Sequence, residues 1–360
     1  MIPVNKPYLP AFSKYSKYLE QAYARNWLTN NGPLVQELKL RLEDYLGVKN
    51  LMLVANGTLS MQLAYKVFAL KGNAVTTPFT FIATSSSLQW EHIRPVFADI
   101  DPKSYCLSLD SVKKHINNET TAVVPVHVYG NPCDVDGFEK LRESHGLKII
   151  YDAAHAFGVK VNGKSVLHYG DASSLSFHAT KVFHSVEGGA VIFRNSDDYE
   201  RAMFMTNFGI DTSDGSIVSD GINTKMSEVH AAMGLAVLDD IDLILAHRTA
   251  LFELYLKELT GYVRFPVWHE KSNYNGAYIA VTFSSAEQCT KVLEGLKNEN
   301  IIARRYFAPS LNTLDIYCAQ QSGSCPVSEH FASATICLPL YFSLTEKEVI
   351  HVCNTLKRYL

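Results

Sequence analysis

Over residues 1–250, short apolar runs alternate with stretches whose hydrophobic residues recur at helical spacing. The runs are "NAVTTP" (73–78), "IRPVFAD" (93–99), "TAVVPVHV" (121–128), "LKIIYD" (147–152), "ASSLSF" (172–177) and "GGAVIF" (188–193). A strand apolar on both faces must be covered on both, which is the condition of a parallel sheet between helical layers. The intervening segments supply such helices. "LVQELKLRLEDYL" (34–46) carries Leu34, Leu38, Leu42 and Tyr45/Leu46 on one face, and an apolar-faced helix follows Asn56-Gly57-Thr58. A long helical stretch from Met226 to Leu259 leads to a different region, with strands expected at "GAYIAVTF" (276–283) and near "IIARRYF" (301–307). Capping boxes are expected at Ser285–Gln288 and Thr345–Glu348. The expected fold class is α/β: a large domain over 1–250 with a mostly parallel central sheet, and a small α+β domain over 251–360. The polar, glycine-containing "GIDTSDGSIVSDGIN" (209–223) reads as a mobile or subunit-contacting loop.

Composition narrows the function classes. A chain of 360 residues with 47% hydrophobic and 19% charged residues is ordinary for a soluble globular protein. Its net charge of -3 provides no basic footprint for nucleic acid. The seven cysteines are scattered and never spaced as CxxC, which argues against a disulfide framework and a zinc site and for a reducing cytoplasm. "MIPVNKPYLPAF" lacks the pattern of a secretory signal, and no apolar run reaches the roughly 18 residues of a membrane span.

Three stretches carry candidate chemistry. In "IIYDAAHAFG" a buried run ends in Asp152, at the strand edge where α/β sheets bind ligands, and His155 follows. A carboxylate there needs a cation or strong hydrogen bonds, and a protonated pyridine nitrogen is one such partner; a turn-capping aspartate is the plain alternative. In "ANGTLS", Gly57 and Thr58 open a helix whose N-terminus favours an anion. In "SFHATKVFHSVEGGAVIF", Ser176 and His178 alternate with Phe177, pointing to the face opposite it, and precede Lys181. A partly neutral lysine can form a Schiff base, which burial favours; a solvated loop lysine is the alternative. Phe81, in "PFTFIATSSS", could stack on a flat cofactor or pack in the core.

Together "GTL", "FTFIAT", "DAAHAFG", "SFHATK…EGGA" and "GINTKMSEVHAAMG" occur in the order seen in the sugar aminotransferases of the DegT/DnrJ/EryC1/StrS group, and the chain resembles that family nearly end to end. The resemblance implies the aspartate-aminotransferase fold and pyridoxal 5′-phosphate as cofactor. It implies that Lys181 carries the cofactor and shuttles the proton, that Asp152 keeps the pyridine nitrogen protonated, that Phe81 stacks on the ring and that His155 lies near its phenolic oxygen. Gly57, Thr58, Ser176 and His178 match phosphate-contacting positions. Asn223 resembles a residue reaching into the neighbouring subunit's site, which implies a homodimer with shared active sites. Glu187 is expected to orient substrate or lysine, and Lys225, Arg304 and Arg305 are candidates for a substrate diphosphate.

The implied reaction takes the amino group of L-glutamate and delivers it to a keto carbon of a nucleotide-linked 6-deoxy sugar. "HATK…EGGA" is similar to the branch acting at C4, with dTDP-4-dehydro-6-deoxy-D-glucose as the expected acceptor and O-antigen as a destination for the amino sugar. The departures are Thr224, where the family often has an aromatic, and "ARRYFAPSLN", which lacks a histidine often found there. The rivals are a transaminase of a GDP-linked sugar, amination at C3, a family dehydratase, which would replace Lys181 by histidine, and a regulatory module without turnover.

Overall fold

A computed structural model of the chain describes residues 1–318 and 323–360. Its centre is a seven-stranded sheet formed by β1 (Leu51–Val54), β2 (Asn73–Thr76), β3 (Arg94–Phe97), β4 (Thr120–Val124), β5 (Lys148–Asp152), β8 (Ala172–Ser176) and β9 (Gly189–Phe193). Between β5 and β8 lies a short hairpin, β6 (Lys160–Val161) and β7 (Lys164–Ser165). The strand order is β1-β9-β8-β5-β4-β2-β3, and β9 alone runs antiparallel to its neighbours. The sheet is therefore mostly parallel, as the double-sided apolar runs require.

Alternation along each strand sends side chains to two cores. Ile149 and Tyr151 of β5 join Leu53, Val75, Val123 and Ile192 in the larger core, packed against the helices Pro33–Leu46 and Glu228–Leu238. Ile150 joins Val54, Ala122, Val124 and Val191 on the opposite face, under the helices Gly57–Val67 and Ala83–Trp90. Asp152 shares the face of Ile150, and this places a carboxylate beneath those two helices.

A further core gathers Leu251, Tyr255, Val281, Leu296, Ile336, Val349 and Leu356 around a two-stranded antiparallel sheet, β10 (Ile279–Thr282) with β11 (Thr335–Leu338). The helix Ile241–Leu259 runs from the large core into this one, straddling position 250. Several expectations need correction. The stretch 226–259 is two helices, because Asp240 leaves helical geometry (φ -113°, ψ 7°) while its carboxylate takes Lys14 and Tyr8 and Asp239 takes Arg41. Residues 301–307 form no strand: Ile301 pairs with Ile2 and Arg304 with Cys337, so the partner changes before a ladder can form. β1 was not expected, since "LMLV" is short and only Val54 in it is β-branched; β6, β7 and β11 were not expected either. Thr345 and Glu348 form the full capping box. At Ser285 only half is present, because the Gln288 side chain accepts from Ser284 instead.

Glu228 ties together the two helices, Pro33–Leu46 and Glu228–Leu238, that pack on the larger core. Fully buried, its carboxylate accepts the N–H groups of Leu34 and Val35, each at 2.9 Å, and so caps the helix that opens at Pro33. Gly32 lies so close that a Cβ would stand 2.7 Å from the Glu228 carboxyl carbon. An amide at 228 retains one acceptor oxygen for two donors. Glu228→Gln should therefore cost about 1–3 kcal/mol in denaturant unfolding. An unchanged unfolding midpoint would show that this cap contributes nothing.

Candidate active site

The C-terminal ends of β2, β5 and β8 and the N-terminus of the helix Gly57–Val67 converge on a cavity of about 430 Å³, closed on its far side by residues from the C-terminal region. It is lined by Gly57, Thr58, Phe81, Asp152, His155, Ser176, His178, Lys181, Glu187 and Arg304 among the expected residues. Strand alternation brings Ser176 into it while Phe177 turns into the core.

Asp152 ends β5 and is buried. Its Oδ2 accepts from the Thr84 hydroxyl at 2.7 Å, and its Oδ1 from the Ala154 N–H at 3.1 Å. Burial raises its pKa, while the two hydrogen bonds and nearby Lys181 pull the other way. Lys181 answers in kind: burial lowers its pKa from 10.5 to about 8, partly opposed by Asp152. With a pKa in that range about a tenth of the amine is neutral at pH 7, far more than for an ordinary lysine, and carbonyl attack needs the neutral form. Its Nζ lies 5.8 Å from the centre of the Tyr278 ring.

At the helix mouth, the Asn56 side chain caps by accepting from Leu59 N–H at 2.9 Å, leaving the N–H groups of Gly57 and Thr58 without intrahelical acceptors. A Cβ on Gly57 would meet the Ser176 Cβ at 2.9 Å, so only glycine lets the end of β8 approach this helix. His178 Nδ1 pairs with the Thr180 hydroxyl at 2.8 Å, and its Nε2 lies 3.7 Å from a Glu187 oxygen. His155 stacks on Phe307 (5.9 Å) and lies tilted over Tyr278 (4.5 Å). Burial holds it neutral, and its buried Nδ1 has no hydrogen-bond partner in the protein.

Other expected residues lie elsewhere. Arg305 donates to the Thr290 hydroxyl, against the helix Ala286–Asn298, and does not line the cavity. Lys225 donates to Asn207 Oδ1 at 2.7 Å and lines a different cavity of about 680 Å³ with Asn30 and Lys39. Asn223 is exposed and bridges to Asn207, outside this cavity. Sequence reading missed Thr84, Tyr278, Tyr306 and Phe307. Tyr278 is set by buried Arg248, which donates to the carbonyls of Gly276 and Ala277. Aromatic residues of the C-terminal region look like core in a sequence, and nothing in their spacing marks a cavity wall.

The residues fit pyridoxal 5′-phosphate on their own chemistry. A lysine of lowered pKa, a buried carboxylate, a glycine-bounded helix N-terminus and an unpartnered buried imidazole nitrogen surround one cavity. Among the described residues, no group of three or more His, Cys, Asp or Glu side chains could hold a metal ion, and no helix is long and apolar enough to cross a membrane.

Comparison with known proteins agrees. The model of the DegT/DnrJ/EryC1/StrS aminotransferase family matches residues 13–357. A dTDP-4-amino-4,6-dideoxy-D-glucose transaminase of Shigella dysenteriae is 38% identical, with 98% of each chain covered. A GDP-perosamine synthase of Vibrio cholerae is 31% identical, covering 100% of this chain and 99% of its own. The crystal structure of DesI in the presence of its TDP-sugar product superposes with a TM-score of 0.93 at 33% identity, over 99% of this chain and 92% of that one. With the cavity, the cofactor-compatible groups and this full-length likeness in agreement, the chain belongs to the DegT/DnrJ/EryC1/StrS family of pyridoxal phosphate-dependent aminotransferases.

Proposed function

We propose that the protein transfers the amino group of L-glutamate to C4 of dTDP-4-dehydro-6-deoxy-D-glucose, giving dTDP-4-amino-4,6-dideoxy-D-glucose for O-antigen or a related glycan. The observation that carries the catalytic part is the meeting of Lys181 and Asp152 in one cavity beside an anion-favouring helix N-terminus. The sugar assignment is supported by full-length likeness to transaminases of that name.

Bound pyridoxal phosphate supplies the electron sink that lets a Cα–H bond break. The protein's residues do the rest. Lys181 Nζ, neutral in part, takes the proton from one carbon and returns it to another, as its lowered pKa allows. Asp152 supplies the negative charge opposite the ring nitrogen. Gly57, Thr58, Ser176 and His178 hold the phosphate at the helix mouth, and Phe81 and His155 hold the ring. Arg304, whose guanidinium lies 5.1 Å from the Tyr306 ring centre, is the cavity's candidate for the sugar diphosphate, and Glu187 orients substrate from the rim.

Two subunits sharing their sites complete the reading. Trp27, Leu28, Phe208, Ile217, Val218 and Ile222 are exposed on and near the segment that carries Asn223. An apolar surface of that kind suits a second copy of the chain, and Asn223 would then serve the neighbour's phosphate. The buried free thiols Cys106, Cys133, Cys289, Cys325, Cys337 and Cys353 fit a cytoplasmic setting; the side chain of Cys318 lies outside the described residues.

Incubation with L-glutamate and nucleotide-linked 4-keto-6-deoxy sugars should consume the dTDP-glucose derivative, and NMR of the product should place nitrogen on C4. Turnover of the GDP-mannose derivative alone would transfer the assignment to perosamine-type chemistry, and nitrogen on C3 would refute it. Covalent capture of pyridoxal phosphate by the apoprotein should accelerate as pH rises through about 8, since only the neutral amine attacks. Lys181→Ala should abolish capture, and a wild-type rate without inflection there would contradict the burial argument.

A further inference from the structure

Thr84 lies behind the cavity rather than on its surface. Fully buried in the first turn of the helix Ala83–Trp90, it meets the one carboxylate that the sheet carries beneath that helix. We propose that Thr84, oriented by Thr80, is a positioning residue that keeps Asp152 ionised and aimed at the cofactor's ring nitrogen. This inference rests on reading Asp152 as the partner of that nitrogen.

The hydrogen atoms determine the direction of the chain. An ionised carboxylate only accepts, so the 2.7 Å contact to Asp152 Oδ2 uses the single hydroxyl proton of Thr84. Thr80 Oγ1 stands 2.9 Å from Thr84 Oγ1. With the Thr84 proton committed, Thr80 must donate in that contact. Two hydroxyl dipoles therefore point in series at Oδ2, and each strengthens the next. On the other side the Ala154 N–H donates to Oδ1 at 3.1 Å. One fixed donor on each oxygen locks the plane of the carboxylate and leaves further lone pairs for a donor from the cavity.

The charged and titratable groups around Asp152 do not replace this arrangement. Lys181 favours the ionised carboxylate by charge. Tyr65, from the helix Gly57–Val67, is held neutral by burial, and so is His155 in the loop after β5. Thr84 and Ala154 are the groups that donate hydrogen bonds to the carboxylate. A hydroxyl donor to a buried anion is among the stronger hydrogen bonds a neutral side chain makes.

The test compares Thr84→Val, Thr84→Ser, Thr80→Val and Asp152→Asn in the full-length protein. The readouts are apoprotein affinity for pyridoxal phosphate, the pH midpoint of the bound cofactor's visible absorbance, and thermal stability. Thr84→Val should weaken cofactor binding about tenfold or more. It should also raise the pH midpoint. A protonated ring nitrogen repels a second proton, and a weaker counter-charge leaves that nitrogen neutral, so the lysine-linked nitrogen holds its proton to higher pH. Thr84→Ser should restore both values, and Thr80→Val should move both in the same direction by less. A Thr84→Val protein that loses only thermal stability, with affinity and midpoint unchanged, would reduce Thr84 to packing and overturn the proposal. Should Thr84→Val not fold, an unmoved midpoint in Thr80→Val overturns it equally. Asp152→Asn separates the levels. If it changes neither affinity nor midpoint, the reading of Asp152 fails; if it changes both while Thr84→Val changes neither, the role of Thr84 alone fails.

Discussion

A carboxylate held on an apolar face of the central sheet sets the terms for everything around it. Asp152 follows Ile150 on the face covered by the helices Gly57–Val67 and Ala83–Trp90, where an unpaired charge would be costly. The fold meets that cost with hydrogen-bond donors from Thr84 and Ala154 and with the charge of Lys181. The same burial that strains the carboxylate lowers the lysine's pKa to about 8, so one desolvated corner prepares both groups. Neither shift would survive if this end of the sheet were open to water.

The sheet's topology explains why these groups can meet at all. β5 and β8 are adjacent and parallel, so Asp152 and the residues leading to Lys181 leave the sheet at the same edge. β9 then returns antiparallel, and a Cβ on Gly189 would stand 2.5 Å from the Asn56 carbonyl carbon. That close passage draws the helix mouth at Gly57 against the end of β8. The anion-favouring helix mouth and the loop that carries Lys181 are thus parts of one packing arrangement, and Gly57 and Gly189 are glycines for reasons of space.

Much of this was legible in the sequence because it rests on local rules. Double-sided apolar runs give the parallel strands, a strand ending in aspartate gives the edge carboxylate, and Asn56-Gly57-Thr58 gives the helix entry. What was not legible depends on contacts between distant segments. Tyr278, Tyr306 and Phe307 wall the cavity only because the C-terminal core folds back over the sheet edge, with Arg248 fixing the backbone at Gly276 and Ala277. Arg304 and Arg305 are neighbours in "RRYF", yet one lines the cavity and the other turns to Thr290, a choice no composition rule makes. Thr84 escaped notice because a threonine in a helix's first turn has an ordinary local explanation.

The central claim is that burial has made one lysine, Lys181, the residue that holds the cofactor. Borohydride reduction of the holoprotein followed by peptide mass mapping tests it directly. The account predicts one pyridoxyl group per chain, on the peptide containing Lys181, and none elsewhere. A pyridoxyl group on Lys225, on Lys39 or spread over surface lysines, or no stable adduct at all, would contradict it.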